Sequence, residues 1–183
     1  MKKKVGLPLY QQLLTGVEQA VDNLQPEIIA DPVVVAQLQV YLGNTLLNLG
    51  NSSKAEWALL QAIPVLQAEL GPHEPETIIA RTYLADFYRI QGNLRKSIEE
   101  YQAIKDSCLP FLPQDHLYGK KILNSLAALY NDAGNYRQAI EIFEQILDVK
   151  GELNFSNRED LVAFGNLAML YLAIGRTQES LSL

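Results

Sequence analysis

A glycine recurs at nearly constant intervals along the chain, and this spacing constrains the fold more than any other feature. Each glycine ends one apolar-periodic segment and precedes another. The glycines lie 42, 42 and 41 residues apart, at Gly50, Gly92, Gly134 and Gly175. A fixed period of about 20–50 residues is typical of repeat architectures, in which units that cannot bury both faces alone stack on one another. The sequence therefore predicts a stacked array.

Residues at fixed distances from these glycines agree between the units. Seven positions before the glycine there is a small residue, and four before it a leucine or tyrosine. The two columns hold Gly43, Ala85, Ala127 and Ala168, and Leu46, Tyr88, Tyr130 and Tyr171. A large residue follows nine positions after three of the glycines: Leu59, Tyr101 and Phe143. These offsets fall on one face of each of two helices, so each unit is predicted to be an antiparallel helix hairpin with small residues at the closest approach.

The glycine and the residue after it predict how the two helices of a hairpin are joined. Glycine tolerates the left-handed backbone conformation that often closes a helix. Asn51, Asn93 and Asn135 follow three of the glycines, and asparagine is a favourable cap for the second helix. Arg176 takes this place in the fourth unit.

The pattern Leu-Ala-x-x-Tyr-x-x-x-Gly-x-x-x-x-Ala-x-x-x-Phe, from Leu126 to Phe143, resembles the tetratricopeptide repeat. The period of 42 residues exceeds the usual length of about 34. This longer repeat, with Leu-Gly-Pro-His at residues 70–73, is similar to the kinesin light chain class of the family. The resemblance implies an all-α fold, a right-handed α-solenoid of antiparallel helix hairpins, and says little about the partner.

The hairpins are expected to fill residues 33–183 as about four repeats, the last of them incomplete. Residues 1–32 are expected to form an N-terminal helix over residues 7–22 and a linker, both packing on the array. Trp57 occupies a column in which later units hold Glu99 and Glu141. A tryptophan at that position implies a neighbour that the other units lack, and we expect the segment Leu9–Val21 to cover it.

The last hairpin is expected to leave an apolar edge uncovered. Its apolar residues are Leu167, Met169, Leu170, Tyr171 and Leu172, followed by Leu181 and Leu183. The end of a solenoid must present a polar face or bury its apolar one. We therefore expect self-association through the C-terminal edge, which sedimentation at micromolar concentration would detect. A chain that stays monomeric when concentrated would contradict this expectation.

Composition and charge narrow the class of function. The chain has 15 Lys and Arg against 21 Asp and Glu, a net charge of −6, so we expect no nucleic-acid partner. No apolar run is long enough for a membrane span, and the basic start lacks the unbroken apolar stretch of a secretory signal. The single cysteine, Cys108, excludes an internal disulfide and favours a reducing compartment. We expect a cytoplasmic protein that does not associate with membranes.

The motifs of the sequence give no support for an enzyme. It contains no Walker loop, no Gly-x-Gly-x-x-Gly, no His-Glu-x-x-His and no nucleophile elbow. The two histidines, His73 and His116, fall in turns between hairpins and lack partners at metal-ligating spacing. We expect no enzymatic activity, no cofactor and no metal.

The resemblance implies that the first helix of each hairpin lines a concave face, at positions −10, −9, −6 and −3 from the glycine. Lys121 and Asp132 flank this face. The predicted partner-binding residues are Tyr41, Asn44, Tyr83, Asp86, Arg89, Lys121, Asn124, Asn131, Asn166 and Met169. Asparagine can donate to and accept from a peptide backbone, and tyrosine adds amphipathic contact area. Because few basic residues share the face, we expect an extended peptide of mixed or partly apolar character rather than an acidic tail.

Two classes of function are open from the sequence. The first is a protein–protein interaction scaffold that holds a partner segment in its concave groove, as a piece of a larger multidomain protein. The alternative is a ligand- or peptide-responsive regulatory domain, a sensor that controls an attached or partner output domain. An output domain in the full-length gene would favour the regulator.

Overall fold

Eight α-helices make up most of the described part of the chain. The computed structural model describes residues 8–24, 29, 31–112, 116–147, 157–176 and 180. The helices are α1 (Leu9–Asp22), α2 (Pro32–Asn48), α3 (Ser52–Glu69), α4 (Pro75–Ile90), α5 (Leu94–Cys108), α6 (Leu117–Asp132), α7 (Tyr136–Leu147) and α8 (Arg158–Ala173), with a 3-10 turn at Leu109–Phe111. No strand occurs among these described residues. The predicted all-α fold of helix hairpins is confirmed.

The chain divides into two compact units, residues 1–87 and 88–183. The first unit contains α1, α2, α3 and most of α4. The second contains the end of α4 together with α5, α6, α7 and α8. Leu181 and Leu183, which are expected to contribute to an apolar edge, lie outside the described residues.

In the first unit, α2 and α3 form a hairpin and α1 packs on α2. The two hairpin helices approach each other closely at Gly43. A Cβ atom added there would lie 3.3 Å from the Cβ of Ala58 and 3.4 Å from the backbone oxygen of Ala55. Leu46 and Leu59 are fully buried. The predicted close approach at a small residue is confirmed in this hairpin.

Polar contacts hold α1 against the start of α3. Glu18 Oε1 accepts a hydrogen bond from Asn51 Nδ2 at 2.6 Å. Asp22 forms an ion pair with Lys54, also at 2.6 Å. Val21 of α1 is also buried. These contacts anchor α1 at the N-terminal end of α3.

Trp57 is not buried by α1. Its side chain is 48% exposed. It lines a groove of about 270 Å³ with Val35 of α2, Val65 of α3 and Leu24, which follows the end of α1. The expectation that the segment Leu9–Val21 covers Trp57 is wrong, because the polar anchors of α1 lie at the first turn of α3 and not further along it.

At two places in the second unit, the hydroxyl of a tyrosine forms a hydrogen bond with the hairpin before its own. The hydroxyl of Tyr130 accepts a hydrogen bond from Gln102 Nε2. The hydroxyl of Tyr171 donates to Glu144 Oε1. Each tyrosine lies four residues before its turn glycine, and each partner lies ten residues after the preceding one. Equivalent positions of consecutive repeats therefore make the same contact.

The apolar residues of α8 are better covered than the sequence indicates. Leu167, Leu170 and Tyr171 are buried because α8 packs against both α6 and α7. The expectation that these three residues lack cover is therefore wrong. Met169 and Leu172 are exposed. Self-association through this edge stays a prediction, and it now rests on a smaller apolar surface.

The predicted turn glycines and two of the three predicted asparagine caps are confirmed, and the cap predicted at Asn135 stays a prediction. The four turn glycines have φ between 74° and 79°. The side chain of Asn51 caps α3 by accepting from the backbone nitrogen of Lys54 at 3.1 Å. Asn93 caps α5 by accepting from the backbone nitrogen of Lys96 at 3.2 Å.

Alanine at two glycines of the second unit should change stability in opposite directions. Gly134 has φ +77°, so Gly134→Ala should lower the free energy of unfolding by about 1–2 kcal/mol. Gly165 lies inside α8, where an added Cβ would meet nothing within 4 Å. Gly165→Ala should therefore raise the free energy of unfolding by roughly 0.5–1 kcal/mol. Urea denaturation followed by circular dichroism measures both changes, and two changes of the same sign would contradict the prediction.

Candidate functional site

A groove between α6 and α8 brings together three of the ten predicted partner-binding residues: Asn131, Asn166 and Met169. Its volume is about 290 Å³. The other lining residues are Ala128, Asp132, Phe143, Leu170 and Ala173. Met169 is 71% exposed and Asn131 is also exposed. This groove is the candidate site.

Helical periodicity explains why these residues share a groove. Asn131 and Asp132 follow Ala128 by three and four positions, so both lie on the same face of α6 as Ala128. On α8, Met169 follows Asn166 by three positions and Ala173 follows Met169 by four, so these residues also share one face of their helix. Both helices are the first of their hairpins, so they run in the same direction and place their C-terminal halves side by side.

The groove combines an apolar floor with polar walls. Phe143 of α7 and Leu170 of α8 are buried and form its base. Ala128 of α6 also lines the groove. The amides of Asn131 and Asn166 can each donate and accept hydrogen bonds. An apolar concavity with a few convergent polar groups is typical of binding sites.

A buried polar network joins the N-terminal parts of the same two helices. Lys120 Nζ lies 2.6 Å from Asp160 Oδ1, and the two side chains are 13% and 2% exposed. Asn124 Nδ2 donates to the backbone oxygen of Glu159 at 2.9 Å and to its Oε2 at 3.2 Å. Asn157 caps α8 by accepting from the backbone nitrogen of Asp160 at 3.1 Å. The network fixes α8 beside α6 and so positions both walls of the groove.

Two predicted residues of α6 lie outside the groove. Asn124 is only 5% exposed, because the first turn of α8 covers it and its amide donates to Glu159. Lys121 is exposed and lies nearer the start of the helix. Sequence reasoning missed the pair formed by Lys120 and Asp160, since no local pattern links residues that are 40 positions apart.

The remaining predicted residues lie on other helices. Tyr41 and Asn44 are on α2, the first exposed and the second half-buried. Tyr83 and Asp86 are half-buried on the part of α4 that belongs to the first unit. Arg89 is exposed at the end of α4, in the second unit. A binding role for these five residues stays a prediction.

Two further features concern the described residues alone. Among them, no group of three or more His, Cys, Asp or Glu side chains could hold a metal ion. None of their helices has the length and apolarity needed to cross a membrane. The side chain of Cys108 is buried, and its sulfur lies 3.4 Å from the hydroxyl oxygen of Ser107.

The part of the chain that builds the groove matches a known repeat family. Residues 121–183, which include most of α6 and all of α7 and α8, match the tetratricopeptide repeat. The resemblance seen in the sequence is therefore confirmed. No curated protein matches the chain.

Three solved structures share the fold. The nearly identical TPR-like repeats of a candidate kinesin light chain from Podosopora anserina align with a TM-score of 0.70 at 22% identity, covering 83% of this chain and 72% of that one. BtubC (BKLC) from P. vanneervenii aligns with a TM-score of 0.72 at 17% identity, covering 94% and 69%. MamA aligns with a TM-score of 0.62 at 15% identity, covering 97% and 91%. These alignments show the fold of tetratricopeptide repeat structures, which in general supports a protein-interaction scaffold.

Proposed function

We propose that the chain is a protein-interaction scaffold whose groove between α6 and α8 holds an extended segment of a partner protein. The observation that carries this proposal is the groove itself. It places the amides of Asn131 and Asn166 beside the exposed thioether of Met169, above the buried ring of Phe143.

The chemistry of the groove suits a peptide. An extended backbone offers one donor and one acceptor at each residue other than proline, and the two asparagine amides can satisfy both kinds of group. Met169 is flexible and polarizable, so it can adapt to an apolar side chain of the partner. The network around Asp160 holds the walls in place before binding, which reduces the entropy lost on association. The net negative charge disfavours nucleic acid, whose phosphates need basic groups.

Peptides selected on the whole chain from a display library of random dodecapeptides provide the probe for this proposal. Met169→Glu and Asn166→Ala should each weaken binding of the selected peptides by about tenfold, as expected of residues at the centre of an interface. Fluorescence polarisation of labelled peptides measures the affinity.

Leu161→Glu is the matched control for this experiment. Leu161 is an exposed apolar residue near the other end of α8 and does not line the groove. Its variant should bind the peptides as the parent chain does. Thermal melts by circular dichroism check that all variants fold. If every selected peptide bound the groove variants and the parent equally, the proposed site would be incorrect.

A further inference from the structure

We infer that the groove between α6 and α8 selects a partner segment bearing a lysine or arginine, and that Asp132 binds this cation. The inference rests on the proposed function and adds the charge of the partner to it. Asp132 is the only ionisable residue among the described residues that line the groove. It is exposed, and no ion pair of its carboxylate occurs within the described residues.

Two arginines of the second unit, Arg137 on α7 and Arg176 after α8, lie outside the groove. Arg137 and Arg176 line a separate pocket along α7. Arg137 Nε lies 3.0 Å from Glu141 Oε1. The guanidinium of Arg176 lies 4.6 Å from the centre of the Tyr171 ring. Neither arginine lines the groove, so the negative charge of Asp132 is available to a ligand.

Two helix ends strengthen the negative potential at this end of the groove. Asp132 is the last residue of α6, and Ala173 is the last residue of α8. Both line the groove. The C-terminal end of an α-helix carries a partial negative charge of roughly half an elementary charge, which favours a nearby cation. The carboxylate and both helix ends therefore all attract a positively charged group.

The apolar lining suits the rest of a basic side chain. Lysine and arginine place their aliphatic stems along apolar surface while the charged head stays near water. Ala128, Met169 and Ala173 offer such a surface next to the carboxylate of Asp132. An aspartate or glutamate at the same place in the partner would meet only like charge. The groove therefore discriminates by charge as well as by fit.

The selected dodecapeptides test this inference through their composition and their response to one substitution. They should be enriched in lysine and arginine over aspartate and glutamate. Asp132→Asn should weaken their binding about two- to fivefold, the range expected of a partly exposed ion pair. Raising the salt concentration should weaken binding to the parent chain more than binding to this variant.

Asp106→Asn is the control, because Asp106 is an exposed aspartate of α5 that does not line the groove. It should leave the affinity unchanged. Peptides that depend on Met169 but show no basic enrichment, or that bind Asp132→Asn as well as the parent, would overturn the inference and leave the groove as a binding site. Peptides that depend on neither Met169 nor Asp132 would overturn both the inference and the proposed function.

Discussion

Replacing Lys120 by alanine should lower the free energy of unfolding of the second unit by about 3–5 kcal/mol. Lys120 is nearly buried, and its ammonium lies 2.6 Å from the carboxylate of Asp160, which is only 2% exposed. Without Lys120, the buried carboxylate of Asp160 has lost the cation that it pairs with. Lys121→Ala should change the same quantity by less than about 0.5 kcal/mol, because Lys121 is exposed. Urea denaturation gives the total change, and amide hydrogen exchange assigns it to the unit.

A double variant separates the charge effect from packing. Lys120→Met combined with Asp160→Leu removes both charges and leaves neither of them unpaired. It should recover much of the stability lost by Lys120→Ala, as apolar replacements of buried ion pairs often do. Equal losses for the Lys120 and Lys121 variants would show that the buried pair does not stabilise the contact between α6 and α8.

Replacing Leu59 by alanine should lower the free energy of unfolding of the first unit by about 2–5 kcal/mol. Leu59 is fully buried, and its Cγ lies 3.5 Å from the position that a Cβ of Gly43 would take. The substitution therefore opens a cavity where α2 and α3 pack closely. The neighbouring Leu60 is 45% exposed, so Leu60→Ala should lower it by less than about 1 kcal/mol.

These two variants share their chemistry and differ in burial alone. Urea denaturation measures both, and hydrogen exchange of the amides in α2 and α3 locates the loss. A larger effect for Leu60→Ala than for Leu59→Ala would mean that the register of the hairpin is shifted from the one described.

The repeat made the fold predictable, because residues at the same position of successive repeats are of similar type and indicate the same packing contact. Leu59, Tyr101 and Phe143 occupy one column, and all three are buried. The same register placed Asn131 and Asn166 on faces of α6 and α8 that turn out to share a groove. A helical period identifies a face of a helix, and the repeat identifies which helices are equivalent.

Which segment packs over a given helix face was less predictable, because that depends on how distant parts of the chain fold. Trp57 is in a column that suggested a cover by α1, yet the contacts of α1 lie at the first turn of α3. Asn124 is on the predicted face of α6, but the first turn of α8 buries it. Phe143 was expected on the face of α7 that packs within its hairpin, and it also lines the groove. Each of these outcomes is set by a tertiary contact and not by local sequence.

The tyrosines that join consecutive hairpins have a consequence for how such a chain evolves. The Tyr130 hydroxyl accepts a hydrogen bond from the amide of Gln102, whereas the Tyr171 hydroxyl donates a hydrogen bond to the carboxylate of Glu144. A hydroxyl can do either without any change of its own. A duplicated hairpin can therefore dock on a predecessor that carries glutamine or glutamate at this position. Gene duplication can therefore lengthen the array by whole repeats, and the contact tolerates a change between glutamine and glutamate on one of its two sides.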